Sequence, residues 1–354
     1  MDSTTAGLDF ALIGHQDSWK NISGFINNMR SAEQEKLSAE KIKSIYSFIP
    51  PRDIFRIKVR SATGAEINGV YIETFIDPDK LDASFARANI SKVMNAVVWA
   101  KKMGAGIVAL GGFTSIVLEG NLDSFAEGRT RFTTGNTLTA AYIVKALEKA
   151  ALKMGLALDT ANVLVIGATG DIGTACVQYL KNKTGQLFLC ARNLPRLEKF
   201  ADKLLQEKVA VKYAVLPNEL VPEADIIICV ASTTGMQLAN CKKNVLICDA
   251  GYPKNLENNT GDNNGSFLFH GGMGQVGGGY EFNPDYTKSM YHYCAPFIVH
   301  GCLLEAMVLS FEKRFENFSS GKGNIAVEKI EEVYSLGKKH GIDISPFYNS
   351  KGLW

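Results

Sequence analysis

Long hydrophobic runs are missing from this 354-residue chain. The longest uncharged apolar stretch, residues 103 to 118, is sixteen residues long and holds four glycines. It is too short and too broken for a membrane span, so an integral membrane protein is not expected. The opening residues Met1-Asp-Ser-Thr-Thr5 lack the basic start and apolar region of a secretory signal, which points to a soluble, cytoplasmic protein. Charge of one sign is missing as well: 38 Lys and Arg stand against 36 Asp and Glu, a net +2. No extended basic stripe follows from that balance, and nucleic-acid binding is not expected. The seven cysteines, at 176, 190, 229, 241, 248, 294 and 302, are odd in number and lack the spacing of a small disulfide scaffold. Four lie in or beside apolar strand-like runs, so a reducing compartment and no structural disulfide are expected. What remains, 46% hydrophobic and 21% charged residues, is ordinary globular composition, enough for two or three packed domains.

The most informative stretch is Asn162-Val-Leu-Val-Ile166 followed by Gly167-Ala168-Thr169-Gly170-Asp171-Ile172-Gly173. It joins a five-residue strand to a helix through glycines three residues apart, and predicts a nucleotide phosphate site. One glycine allows the tight turn, one lets backbone approach a pyrophosphate, and one lets helix and strand pack closely, with the helix N-terminus facing the phosphate charge. The next strand, Gln186 to Ala191, ends in Arg192-Asn193, where an NAD-preferring fold would carry an acidic residue against the ribose. No Asp or Glu lies between Asp171 and Glu198. Arg192, aided by Arg196, suits a 2'-phosphate instead, so NADPH is the expected cofactor. Ala191, Arg192, Asn193, Arg196, Ala231 and Ser232 complete the expected cofactor contacts, the last two following the strand Ile226 to Val230.

The organisation is read as α/β in three parts. Residues 1 to 134 mix short apolar runs (Phe10 to Ile13, Gly106 to Leu110, Ile116 to Leu118) with charged helical segments such as Ala32 to Ile45, an N-terminal α/β domain. Thr114 and Ser115, in Ala109-Leu-Gly-Gly-Phe-Thr-Ser115, are expected at a strand's C-terminal end, where ligands bind in open α/β sheets. Asn136 or Thr137 caps a helix from Ala140 to Met154, the expected hinge. Residues 135 to 289 form a Rossmann-type doubly wound parallel sheet, with strands at Val163 to Ile166, Leu187 to Ala191, Val211 to Val215, Ile226 to Val230 and Val245 to Cys248. Residues 255 to 279, with six glycines among positions 271 to 279, read as a loop. Residues 290 to 354 read as a C-terminal helical domain, with helices at Leu303 to Phe315 and Val327 to Leu336.

Chemistry centres on Cys302, at the start of the Leu303 to Phe315 helix. A helix N-terminus favours thiolate, which would make Cys302 a nucleophile; a buried structural cysteine is the bland alternative. His292, Cys294, His300 and Cys302 together would supply four zinc ligands, with a spacing unlike familiar zinc ribbons; no metal is expected. Tyr179 to Lys183 and Tyr334 to Lys338 match the Tyr-x-x-x-Lys pair of short-chain dehydrogenases, but the first lies too early on the helix after the glycine turn and the second in the helical tail.

Taken together, these residues resemble the cyanobacterial-type long-chain acyl-acyl-carrier-protein reductase family. The resemblance runs through Leu12-Ile-Gly-His15, Ala109-Leu-Gly-Gly-Phe-Thr-Ser-Ile116, Arg131-Phe-Thr-Thr-Gly-Asn-Thr137, Gly167 to Gly173, Ala191-Arg-Asn193, Gly251-Tyr-Pro-Lys-Asn255 and Cys302-x-x-Glu305-Ala-Met307 with Phe311-Glu312. It implies that Cys302 matches the acyl-accepting cysteine, that NADPH is the reductant, and that a long-chain acyl thioester on acyl carrier protein or coenzyme A becomes a fatty aldehyde for alkane synthesis. An aldehyde-consuming oxygenase is then an expected partner. Thr114, Ser115 and backbone amides near Cys302 are candidate oxyanion donors, and Lys242 and Lys243 are candidates to meet an acidic carrier. The chain departs from the family at Met273-Gly-Gln275, where an acidic residue and a histidine are usual, and at His300, an apolar position in the family. Other readings of the same fold are a short-chain, shikimate-type or tRNA-linked dehydrogenase acting on a polar substrate, and a noncatalytic NADPH sensor.

Overall fold

The structure is a computed structural model that describes residues 7–16, 18–31, 33–81, 83–117, 128–256, 266–287, 293–320 and 325–354. Two compact units emerge: Met1–Gly135 with Gln275–Lys322 and Ser335–Asp343, and Asn136–Gly274 with Gly323–Tyr334 and Ile344–Trp354.

The first unit is built on a six-stranded sheet in the order Tyr280–Asn283, Arg52–Arg60, Glu66–Glu73, Phe10–Gly14, Ile107–Leu110, Arg131–Thr133. The last four strands run parallel, while Arg52–Arg60 is antiparallel to both its neighbours. That edge is absent from the expected elements, although buried Phe55, Ile57 and Val59 alternate there with Arg56, Lys58 and Arg60, the period-2 signature of a half-buried strand. Val93, Ala96, Val97 and Ala100 of the helix Ala86–Lys102 form one core with Ala11, Ile13, Val70, Ile72, Val108 and Leu110. The helix Gly301–Phe311 packs on the strands Ile107–Leu110, Phe10–Gly14 and Glu66–Glu73. Residues 113–117, expected in part as an apolar run, are a short helix, and Leu118 lies outside the described residues.

The second unit holds a six-stranded, wholly parallel sheet in the order Phe267–His270, Leu246–Asp249, Ile226–Cys229, Asn162–Ile166, Gln186–Cys190, Val211–Ala214. From Asn162–Ile166 the chain winds one way through two strands, then returns to its other side and winds the opposite way through three. This is the doubly wound order, with its crevice where Asn162–Ile166 and Ile226–Cys229 diverge. The expected strands stand within a residue of their observed bounds. The helix Asn136–Met154 starts earlier than Ala140 and buries twelve of its nineteen residues, so it is a core element of this unit.

Two expectations are corrected. Residues 255 to 279 are not a loop throughout: Phe267–His270 pairs with Leu246–Asp249 as a sixth parallel strand, and Met273–Val276 is another strand. Glycine and asparagine set the composition of that segment, but Phe267, Leu268 and Phe269 have a ladder to join; residues 257–265 lie outside the described set. Nor is 290–354 a separate helical domain. It is divided between the two units and contains strands at Ile298–His300, Ile342–Ile344, Tyr348–Asn349 and Gly352–Leu353. The reason lies in Gly301–Phe311, which buries every residue except Cys302 and so needs cover on all sides. Among the described residues no helix is long and apolar enough to cross a membrane.

Two glycines give opposite expectations for stability. A Cβ on Gly173 would lie 2.1 Å from the Gly167 carbonyl oxygen, whereas one on Gly24, in the helix Trp19–Asn28, would meet nothing within 4 Å. Gly173→Ala should lower the urea unfolding midpoint by the equivalent of roughly 1–3 kcal/mol, and Gly24→Ala should raise it by about 0.5–1 kcal/mol. A neutral Gly173→Ala would show that helix and strand are not in contact there.

Candidate active site

In the second unit the glycine turn sits at the C-terminal end of the strand Asn162–Ile166. Gly167 has φ +93°, and a Cβ on it would lie 2.7 Å from the Val230 carbonyl oxygen, so the turn and the neighbouring strand end are in direct backbone contact. Gly173 closes the helix onto the turn, and exposed Gly170 is the N-cap of the helix Asp171–Leu180, contributing no side-chain cap. The amides of Gly167 and Ala168 both donate to the Cys190 carbonyl (2.8 and 3.1 Å), and that of Gly170 to the Gly167 carbonyl (2.9 Å). By helix geometry the first-turn amides of Ile172 and Gly173 are the donors disposed toward an anion at this turn. Asn136 Nδ2 donates to the Asp171 carboxylate at 2.9 Å.

Around this turn the structure brings together several sequence-predicted residues. Exposed Arg192, beyond the strand Gln186–Cys190, donates to Ser232 Oγ at 3.3 Å, joining the rims of two strand ends. Asn193 caps the helix Leu194–Gln206 by accepting from the Arg196 amide at 3.0 Å, and the Arg196 side chain is exposed. The Ala231 amide is held by Asn255 Oδ1 at 3.0 Å, and Asn255 Nδ2 donates to the carbonyls of Ala231 and Thr233 at 2.8 and 2.6 Å. Asn255 is in turn fixed by buried Asp249, which accepts from the amides of Gly251, Asn255 and Leu256 at 3.0–3.1 Å. The block Gly251 to Asn255 thus acts as a brace for the Ala231–Thr233 edge, a role that sequence spacing did not reveal.

The first unit holds the cysteine. Cys302 is the second residue of the helix Gly301–Phe311, and it alone among the eleven is not buried. The turn Gly111–Phe113 packs on the start of this helix, where a Cβ on Gly111 would lie 3.0 Å from the Leu303 side chain, and the nearby backbone amides of Gly112 and Leu303 favour the thiolate. Gly112, with φ +57°, belongs to the turn that follows the strand Ile107–Leu110. Although Cys302 keeps some exposed surface, the protein packed around it strips water from the sulfur, and this desolvation dominates: it pushes the thiol up to about 11, with Glu305 one turn along adding to the rise and the amides opposing it. Gly135 backs the cysteine so closely that a Cβ there would lie 2.1 Å from the Cys302 carbonyl oxygen. The Gly135 amide donates to Thr133 Oγ1 at 3.1 Å, and that hydroxyl makes a short hydrogen bond to the fully buried Glu305 carboxylate. Thr133, Gly135 and Glu305 therefore form the seat of Cys302.

Other predicted residues take different roles. Thr114 is fully buried and donates its hydroxyl proton to the Gly111 carbonyl at 2.9 Å; Ser115 donates to Gly112 at 2.8 Å. Each hydroxyl has one proton, so neither is disposed to donate to an oxyanion. His300 Nε2 meets Tyr293 Oη at 3.0 Å, His292 lies outside the described residues, and among those described no group of three His, Cys, Asp or Glu could hold a metal. All seven cysteines are free thiols. Tyr179 receives Lys145 Nζ at 2.7 Å and donates to Glu148 at 2.9 Å, and burial with the nearby carboxylates raises its pKa, the opposite of what an acid–base tyrosine needs. Lys242 is paired with Asp225 at 2.6 Å.

Residues 148–270, most of the second unit's sheet, match the family described as Shikimate / quinate 5-dehydrogenase. The chain is 37% identical, over 94% of its length and 97% of the relative's, to the long-chain acyl-[acyl-carrier-protein] reductase of Synechococcus elongatus. It is also 27% identical to the aminotransferase PigE of a Serratia species, over 82% of this chain and 34% of that protein. Among solved structures, the A chain of dipicolinate synthase from Bacillus subtilis aligns with 11% identity and a TM-score of 0.34, covering 75% of this chain and 88% of that one, values too low to support an inference. With more than a third of its residues identical across nearly the whole of both chains, the protein belongs to the long-chain acyl-[acyl-carrier-protein] reductase family.

Proposed function

We propose that this protein reduces a long-chain fatty acyl thioester, carried on acyl carrier protein or coenzyme A, to the fatty aldehyde with NADPH, through an acyl thioester on Cys302. The observation that carries the reading is the position of Cys302: the single non-buried residue of an otherwise buried helix, with nearby backbone amides that favour its thiolate. The fit for a dinucleotide is the glycine turn, where Gly170 leaves the first helical turn open and Arg192 stands exposed beside Ser232. Ile172 and Gly173 would hold the phosphates, and Arg192 the 2'-phosphate. When bound, NADPH supplies the hydride that converts the acyl carbonyl carbon to the aldehyde oxidation state.

The chain's own part is covalent. The Cys302 sulfur attacks the thioester carbonyl, the carrier sulfur leaves, and the proton of the Cys302 thiol ends on the carrier thiol, so the exchange is proton-neutral. The oxyanion that develops is placed against the amides of Gly112 and Leu303, in place of Thr114 and Ser115. After reduction, the C–S bond to Cys302 breaks, aldehyde departs, and the released thiolate takes up a proton. Because burial disfavours the thiolate, the resting thiol is protonated near neutral pH, and its return to that state accompanies product release. The aldehyde is a reactive product suited to direct use by an aldehyde-consuming oxygenase.

Labelled palmitoyl thioester without NADPH should leave label on Cys302, and Cys302→Ala should lose reductase activity by roughly a thousandfold or more. Retained activity in that variant would reject the scheme, while NADPH binding with no turnover by the wild-type chain would favour the sensor reading. Arg192→Ala should raise the Kd for NADPH roughly tenfold to a hundredfold, by loss of a charge-assisted contact, and leave that for NADH unchanged; equal effects on both would remove Arg192 from the 2'-phosphate. Below a pKa pushed up to about 11, the thiolate fraction rises tenfold for each unit that the pH rises toward that value. Alkylation of Cys302 in the ligand-free protein should therefore accelerate roughly tenfold per unit from about pH 7 to about pH 10, and a plateau near neutrality would contradict the burial described.

A further inference from the structure

We propose that His15 is a positioning residue for the Cys302 centre: it pins the turn Gly111–Phe113 so that the Gly112 amide stays directed at the Cys302 sulfur. The inference rests on Cys302 being the acyl acceptor, but its principal readout does not require turnover.

The strands Phe10–Gly14 and Ile107–Leu110 are parallel neighbours, with Ile13 opposite Leu110. The sheet changes direction between them: from Phe10–Gly14 the chain continues to one side, through Arg52–Arg60 and Glu66–Glu73, and it then crosses to Ile107–Leu110 on the other. Such a switch leaves the loops beyond the strand ends splayed, and here those loops are His15–Gln16 and Gly111–Phe113. Their relative position has to be set by contacts of their own. Gly111 donates its amide to the Ile13 carbonyl at 2.9 Å, which holds the start of the turn. The far end is held by a side chain: the Phe113 amide, at the start of the short helix Phe113–Val117, donates to His15 Nε2 at 3.2 Å.

A ring nitrogen that accepts carries no proton, so the hydrogen-bond network assigns the proton to Nδ1, which meets the Gln16 carbonyl at 3.1 Å. Both nitrogens of this buried ring are thus committed, and its edge meets the Phe113 ring with centroids 6.0 Å apart. Gln16 is itself anchored, its side-chain amide donating to Glu73 Oε2 at 3.0 Å. The fully buried Glu73 carboxylate also accepts from Tyr71 Oη at 2.9 Å and from the Phe75 amide at 3.2 Å. From the buried Glu73, Gln16 and His15 a continuous set of contacts therefore leads to the half-buried Phe113 and, through the backbone, to Gly112. Its last link is backbone, so His15 acts on the sulfur through Gly112 and not by touching the reacting atoms. The turn lies against the start of the cysteine's helix, a Cβ on Gly111 falling 3.0 Å from the Leu303 side chain; the amides of Gly112 and Leu303 favour the thiolate, and Glu305 opposes it. Losing the aim of one donor out of so few shifts that balance, and weakens the same donor's hold on a developing oxyanion.

The test compares His15→Phe, which keeps ring volume but has no acceptor, with His15→Gln, whose side-chain oxygen can accept the Phe113 amide proton. Iodoacetamide alkylation of Cys302, followed on its peptide by mass spectrometry between about pH 7 and about pH 10 without cofactor or substrate, should be at least about fivefold slower at each pH in His15→Phe. Reductase kcat should fall by a similar factor, with the Kd for NADPH unchanged, and His15→Gln should recover most of both. A wild-type alkylation profile in folded His15→Phe, or a His15→Gln variant as slow as His15→Phe, overturns the proposal. Hydrogen exchange of the wild-type chain, resolved to single amides, supplies an arm that needs no variant: Gly112 and Phe113 should be protected, and free exchange at both overturns it. Failure of Cys302 to become acylated would leave the alkylation and exchange results standing and would count against the acyl-acceptor reading alone.

Discussion

The need to cover one almost wholly buried helix, Gly301–Phe311, organises the first unit. A helix as apolar as Gly301–Phe311 has to be covered on every side, and the strands of the N-terminal sheet supply cover although they lie some two hundred residues earlier in the chain. Where that cover stops, at the second residue, Cys302 is left partly open. The cost of removing a thiolate from water raises its pKa, and the amides of Gly112 and Leu303 pull the other way without closing the gap.

The seat of that cysteine draws on distant parts of the chain by close backbone packing. Gly135 is a glycine because the Cys302 backbone occupies the space a Cβ would take. Thr133 links the Gly135 amide to the Glu305 carboxylate, so one hydroxyl both accepts and donates across the seat. Strand ends of the same sheet contribute the Gly112 turn, which is the position at which open α/β sheets commonly present ligand-binding groups. The second unit repeats the principle on its own sheet, where the glycine turn, Arg192 and Ser232 gather at the divergence of two strands.

Legibility followed the range of the interactions. The strand Asn162–Ile166, its glycine turn and the following helix are specified within a dozen residues, so composition and spacing were sufficient. Arg192 was readable because it directly follows a strand of clear pattern. The hairpin partner Arg52–Arg60 carried a readable alternation that its charges obscured, and Phe267–His270 was hidden by glycine- and asparagine-rich flanks. Spacing placed Thr114 and Ser115 beyond a strand end but carried no sign that their hydroxyls bond back to carbonyls three residues earlier.

By itself the sequence determined the doubly wound sheet, the dinucleotide turn and, through ordered motif blocks, the family. These depend on periodicity and on the steric freedom of glycine, which act between near neighbours. Only the tertiary structure decided that the cysteine's helix belongs with the N-terminal sheet, that Asn255 and Asp249 brace the Ala231 edge, and that the buried Glu73, Gln16 and His15 are linked to the turn Gly111–Phe113. Those outcomes turn on which buried donor meets which buried acceptor, a choice made when strands remote in sequence align, and one-dimensional spacing carries no record of it.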